Sequence, residues 1–175
     1  MFEKLAIAVG VVGLAYWFCH APSKSPIVLD EPTIAALTAD LADAAGNPAP
    51  AQTLHGAKRI LVYFSANWCP PCRAFTPELV SYYNAHGGGH AFQLLFVSND
   101  QSAEAMRAYM HDDKMPWWGV RYGSKSAHTL AKAYAGRGIP CLVMLTPTGH
   151  VVADSFQGTD YLGPHNVLDA LTAGQ

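Results

Sequence analysis

The sequence predicts an α/β fold, a central mixed β-sheet flanked by helices, with an N-terminal hydrophobic segment set apart from it. Three observations carry that prediction. Two apolar strand-like runs, Ile60 to Phe64 and Phe92 to Val97, bracket a helical stretch, the order of a parallel pair joined by a crossover. Two more apolar runs, Cys141 to Leu145 and His150 to Phe156, are joined by the turn residues Pro147-Thr148-Gly149, which makes them antiparallel partners. Finally, Trp68-Cys69-Pro70-Pro71-Cys72 lies at the first strand-to-helix junction and sets two thiols one helical turn apart.

At the amino end, Leu5 to Cys19 is uncharged and almost wholly apolar, with Tyr16, Trp17 and Phe18 near its close. Residues 1–21 therefore read as an export signal or a membrane anchor, with a length between a cleaved signal core and the roughly 20 residues that span a bilayer. Cys19-His20-Ala21 suits a signal peptidase, whereas the aromatic cluster suits the interface of a retained helix and favours the anchor. Either way the expectation is an extracytoplasmic domain, on the periplasmic or secreted side; with the favoured anchor retained, residues 5–19 hold it and the membrane is a partner. Residues 22–32, rich in Pro, Ser and charge, read as a tether, and residues 33–175 as the folded domain.

Ile34, Leu37 and Leu41 recur at helical spacing before Gly46-Asn47-Pro48-Ala49-Pro50 stops the helix. The strand from Ile60 and the helix from Pro70 to about His86 follow, then the strand ending at Val97. Ser102 caps a helix to about Asp112 that carries Met106, Tyr109 and Met110 on one face. Lys125 to Ala135 is the next helix, and Ile139-Pro140 opens the antiparallel half. Leu162, Val167, Leu168 and Leu171 mark a closing helix. The order is βαβ, an inserted helix, then ββα.

With 175 residues and 50% hydrophobic content, the chain supports one core. A net charge of −2 and 14% charged residues leave no basic field, which excludes nucleic acid as a partner.

The chemistry sits at the dithiol. A thiolate is the nucleophile, and a cysteine at a helix N-terminus gains thiolate character from the dipole and the unpaired N–H groups. Cys69 is placed for that gain, and Cys72 lies on the same helical face, able to attack a mixed disulfide at Cys69. A zinc half-site is the competing reading, but a structural zinc needs four ligands and no second close pair of Cys or His accompanies this one. His86 and His90 bracket three glycines that cannot hold ligand geometry, so no metal and no cofactor are called for. Pro70 and Pro71 lack N–H groups and weaken the donor set at the helix start. The Cys69 thiol is therefore expected below the ordinary thiol range but well short of the strongly oxidising extreme, which suits a reductant or isomerase.

This motif in this element order resembles the thioredoxin fold. Pro77, inside the helix and five residues past Cys72, matches the kinking proline of thioredoxins. Tyr63-Phe64-Ser65-Ala66-Asn67-Trp68-Cys69-Pro70-Pro71-Cys72-Arg73-Ala74-Phe75-Thr76-Pro77 is similar to the active-site signature of the tryparedoxin and nucleoredoxin group, and Lys114-Met115-Pro116-Trp117 to its second signature. The resemblance spans about Leu54 to Gly158. It implies a thioredoxin-like fold with Cys69 as nucleophile, Cys72 as resolving thiol and Pro140 as a cis-proline facing them. It also implies that the Ile139 backbone pairs strand-like with a substrate segment, beside a substrate-facing rim of Trp68, Pro70 and Pro71. Trp117 and Trp118 fit either that rim or the core.

Two departures stand out. Tyr63 occupies the position where classical thioredoxins carry a buried acid; Glu78 and Asp100 are the nearest acidic substitutes, with a solvated surface carboxylate the ordinary reading of each. Cys141 replaces the usual threonine after the cis-proline, either as a small buried apolar residue or as a third thiol near Cys69. The implied function is a thiol–disulfide oxidoreductase that reduces disulfide-bearing client proteins and is recharged by an upstream thiol electron donor. A dedicated reductant for cytochrome c maturation or for a peroxidase, and a redox-gated binding module, are the alternatives.

Overall fold

A computed structural model describes residues 26–174. Helix starts follow local chemistry. The helix Glu31–Ala39 (α1) begins at Asp30, whose carboxylate accepts from Thr33 N at 3.0 Å, with a proline in the first turn. Ser102 and Ser124 cap Ala103–Asp112 (α3) and Lys125–Tyr134 (α4) in the same way, each accepting at 3.1 Å from the amide three residues on. Pro70–Ala85 (α2) starts at Cys69 on two prolines and holds Pro77 in its interior, while His165–Ala173 (α5) closes the chain.

Six strands form one mixed sheet: Leu41–Ala42 (β1), Ile60–Ser65 (β2), Gln93–Ser98 (β3), Trp118–Val120 (β4), Cys141–Leu145 (β5) and Val151–Asp154 (β6), in the order β1-β4-β3-β2-β5-β6. β2 lies at its centre, parallel to β3 with Val62 opposite Leu95, and antiparallel to β5 with Val62 opposite Val143. Every residue of β2 is buried, because both faces of the sheet are covered. The strand period of two divides the core. Leu61, Tyr63, Leu94, Phe96 and Leu142 pack under α2, α3 and α5, while Ile60, Val62, Phe64, Leu95 and Val143 pack under α1 and α4.

The mixed sheet between helices is as the sequence predicts, and four short strands are additional. β4 has three residues with Gly119 at its centre, where a Cβ would press on Met106 Cε at 2.6 Å and Met110 Sδ at 2.7 Å. β1 pairs antiparallel with it and covers that sheet edge. The strand predicted from His150 to Phe156 stops at Asp154, because the buried Ser155 turns its hydroxyl onto the Leu142 backbone, accepting from Leu142 N at 2.8 Å and donating to Leu142 O at 3.0 Å. Phe156–Gln157 (β7) and Asp160–Tyr161 (β8) then form a separate hairpin.

Within the expected tether, Ile27 and Leu29 lie on the domain. Ile27 N donates to Tyr134 Oη at 2.9 Å, and Leu29 is buried and bonded to Thr148 O at 3.3 Å. The membrane readings are corrected. Among the described residues no helix is long and apolar enough to cross a membrane. The longest, α2, has 16 residues, about 24 Å of rise against a hydrocarbon core of about 30 Å. The membrane as a partner, the anchoring and the extracytoplasmic, periplasmic or secreted placement are withdrawn, and residues 5–19, on which they rested, lie outside the described residues.

Candidate active site

At the carboxyl end of β2 the chain turns through Ala66, Asn67 and Trp68 into Cys69, the N-cap of α2, whose amide bonds back to Ala66 O at 3.2 Å. Cys69 and Cys72 are joined as a disulfide with their Cα atoms 5.2 Å apart. The two sulfur-bearing residues differ in access: Cys69 retains 4% of its surface and Cys72 none. Pro70 and Pro71 occupy the first helical positions, so the Cys72 amide is the first N–H the helix offers, and Arg73 N already bonds to Cys69 O at 3.1 Å.

Opposite the disulfide runs the loop into β5. The Ile139–Pro140 peptide is cis, and the Ile139 carbonyl oxygen lies 3.7 Å from Cys69 Sγ. In the closed disulfide that sulfur has no proton, so the approach is a contact; reduction would turn the thiol into a weak donor toward the same oxygen. Ile139 packs on the buried cluster of Ala66, Cys69 and Cys72. Pro140 is buried, Ile139 half-buried, and Pro70, Pro71 and Trp68 are exposed; the Ile139 contact places the 139–140 loop against the Cys69 end of α2. Trp68 is 60% exposed and held by its indole N–H, which donates to Asn99 O at 3.0 Å.

Behind the disulfide stand four buried hydroxyls. Thr76 Oγ1 donates to Cys72 O at 2.9 Å and lies 2.9 Å from Tyr63 Oη and 2.6 Å from Tyr109 Oη; Tyr109 Oη in turn lies 3.0 Å from Ser65 Oγ. Burial pushes the Tyr63 and Tyr109 phenols up, so both stay neutral donors. Of the two acids, Glu78 is on the surface, 2.9 Å from His165 Nε2. Asp100 is not: it is 6% exposed, and its carboxylate accepts from Asn67 N at 2.8 Å and Ser98 Oγ at 2.7 Å, pinning the loop that carries Trp68 and Cys69. Cys141 is fully buried on β5 opposite Phe64, among core residues of the other face, and lies outside the bridge. Trp117 is core, edge-on to Tyr63 and Tyr83, and Trp118 lies in β4, so neither joins the rim. No group of three metal-ligating side chains occurs among the described residues.

The family model described as thioredoxin-like matches residues 56–151, more than half of the chain. The chain belongs to the thioredoxin-like family. Within it, the chain is close to the tryparedoxin and nucleoredoxin group. It is 46% identical over 96 residues to probable nucleoredoxin 1 of Arabidopsis thaliana, covering 54% of this chain and 16% of that protein. Against the tryparedoxin of Trypanosoma brucei brucei it is 34% identical over 97 residues, covering 54% and 66%. Tryparedoxin I of Leishmania major superposes with a TM-score of 0.60 at 34% identity, covering 69% of this chain and 82% of that one. The chain thus spans about one-sixth of the length of the nucleoredoxin.

For a thioredoxin-like chain, a dithiol that closes to a disulfide at the first strand-to-helix junction is the apparatus of a thiol–disulfide oxidoreductase. Sequence reasoning missed Asp100 as a loop pin and the hydroxyls of Ser65, Thr76 and Tyr109. Ser65 shares the β2 face of Tyr63 by strand period, and Thr76 follows Cys72 by four on one helical face, so that much could have been found. It also missed Tyr161, whose hydroxyl donates to the Pro140 carbonyl at 2.9 Å across 21 residues.

Proposed function

We propose that the protein reduces disulfides in polypeptide clients, with Cys69 as the attacking thiol and Cys72 as the resolving thiol. The observation that carries this reading is the asymmetry of the bridge, in which only Cys69 retains accessible surface and it faces the Ile139 carbonyl. The Cys69 thiolate attacks one sulfur of the client disulfide, forms a mixed disulfide and releases the first client thiolate. The Cys72 thiolate then attacks Cys69 Sγ, closes the intramolecular bridge and releases the second client thiolate. Two electrons and two protons pass to the client, and the closed state described here is the product of that half-reaction. An upstream thiol donor must reopen it.

Pro140 and Ile139 serve as the strand-like ledge for the client backbone, and Trp68, Pro70 and Pro71 as the exposed rim beside it. The helix dipole and the Cys72 amide favour the Cys69 thiolate, while the two prolines limit that effect. The test is the reduction potential of the Cys69/Cys72 couple in glutathione buffers. A value below about −220 mV is expected, and one above about −150 mV, that of an oxidant, would overturn the reading.

A further inference from the structure

The β7–β8 hairpin grips the loop that faces the disulfide at both ends. At one end, the ring of Phe156 occupies the space a side chain at Gly136 would need. At the other, Tyr161 Oη donates to the Pro140 carbonyl at 2.9 Å, and the two rings pack together at 4.9 Å. The base of the hairpin is fixed as well: Leu162 N and Gly163 N both donate to Ser155 O, at 2.8 and 3.2 Å, and Ser155 is bonded through its hydroxyl to Leu142 in β5. A continuous set of contacts therefore runs from the hairpin through Pro140 and Ile139 to Cys69 Sγ. Tyr161 is 52% exposed, and its partial desolvation with Cys141 nearby pushes the phenol up, so it is a neutral donor at pH 7.

We infer that Tyr161 is a positioning residue for polypeptide clients, holding the Pro140 carbonyl and through it the adjoining Ile139 backbone at the height where a client strand pairs beside Cys69. This rests on the reductant reading above. A small disulfide needs only the sulfur of Cys69, whereas a polypeptide also needs the ledge, so the two classes of substrate separate a positioning role from a general loss of fold.

The experiment uses the full chain and its Tyr161→Phe variant, which keeps the ring packing and removes one hydrogen bond. Insulin serves as the protein disulfide and hydroxyethyl disulfide as the small one. In the variant, kcat/KM on insulin is expected to fall on the order of fivefold, the worth of one hydrogen bond, with hydroxyethyl disulfide unchanged within about twofold. Hydrogen exchange over residues 136–142 is expected to quicken while exchange in α2 stays as in the wild type. Equal losses on both substrates, or an unchanged rate on insulin, would overturn the inference. A wild-type protein inert on insulin would instead sink the reductant reading. Hydrogen exchange keeps the two failures apart: unchanged exchange at 136–142 in the variant overturns the Tyr161 inference whatever the wild type does to insulin.

Discussion

Cys69 and Cys72 carry the same side chain, and the fold makes them unlike. Cys69 sits at the end of a loop and keeps 4% of its surface, while Cys72 and Cys141 have no accessible surface. Brief alkylation of the reduced protein should therefore label Cys69 at least about tenfold faster than either of the others, read by peptide mass mapping, since reactivity needs both thiolate character and access. Thr76 is the junction of the buried hydroxyls. Thr76→Val should lower stability by about 1–3 kcal/mol in urea unfolding, because it strands the Tyr63 hydroxyl in the core and leaves Tyr109 only its Ser65 partner. At this scale the sequence was uneven. The Cys-Pro-Pro-Cys run announced itself through spacing alone, but Asp100 looked like any surface acid, because its partners, Asn67 N and Ser98 Oγ, meet it only when β2 and β3 lie side by side.

Among the elements, length governed legibility. α2, α3, α4 and the strands β2, β3 and β5 were readable because each carries several turns of one period or a continuous apolar run. β1, β4, β7 and β8 are two or three residues each and have no period to show, so tertiary pairing alone creates them. The caps make element-level predictions. Ser102→Ala should cost about 1 kcal/mol by removing the acceptor for Ala105 N, measurable as a lowered urea midpoint with the slope unchanged. Gly149→Ala should cost more, about 1–3 kcal/mol, since φ is +92° there and an added Cβ would collide with the Ile27 carbonyl.

At the scale of the whole molecule, the sheet is sealed on both faces, and the segment before α1 belongs to the seal. Tyr134, itself buried, takes the Ile27 amide at 2.9 Å and donates to Gly149 O at 2.7 Å, joining the start of the domain, α4 and the β5–β6 turn. This three-way tie was invisible in the sequence, whose Pro- and Ser-rich composition around residue 27 gave no hint of docking. The response to acid is also a property of the whole. Hydrogen bonds hold the carboxyls of Asp30, Asp43 and Glu104 below their ordinary values of 3.8 for Asp and 4.5 for Glu. Each binds its proton less tightly when folded, so its contribution is complete above those values and is lost as the pH falls beneath them. Asp113 acts in the opposite sense, because burial raises its carboxyl and the folded state takes up its proton first. Thermal unfolding followed from pH 7 downward should show a midpoint that holds to about pH 5 and then declines.

The pairing of Cys72 with Cys69 reaches beyond the reaction itself. The attack of Cys72 on Cys69 Sγ is intramolecular, at an effective concentration that a dilute outside thiol does not match. A chain bearing Cys72→Ser would thus remain covalently stapled through Cys69 to whatever polypeptide it had begun to reduce. The protein would become bait for its own clients, recoverable as adducts that dissolve on adding dithiothreitol.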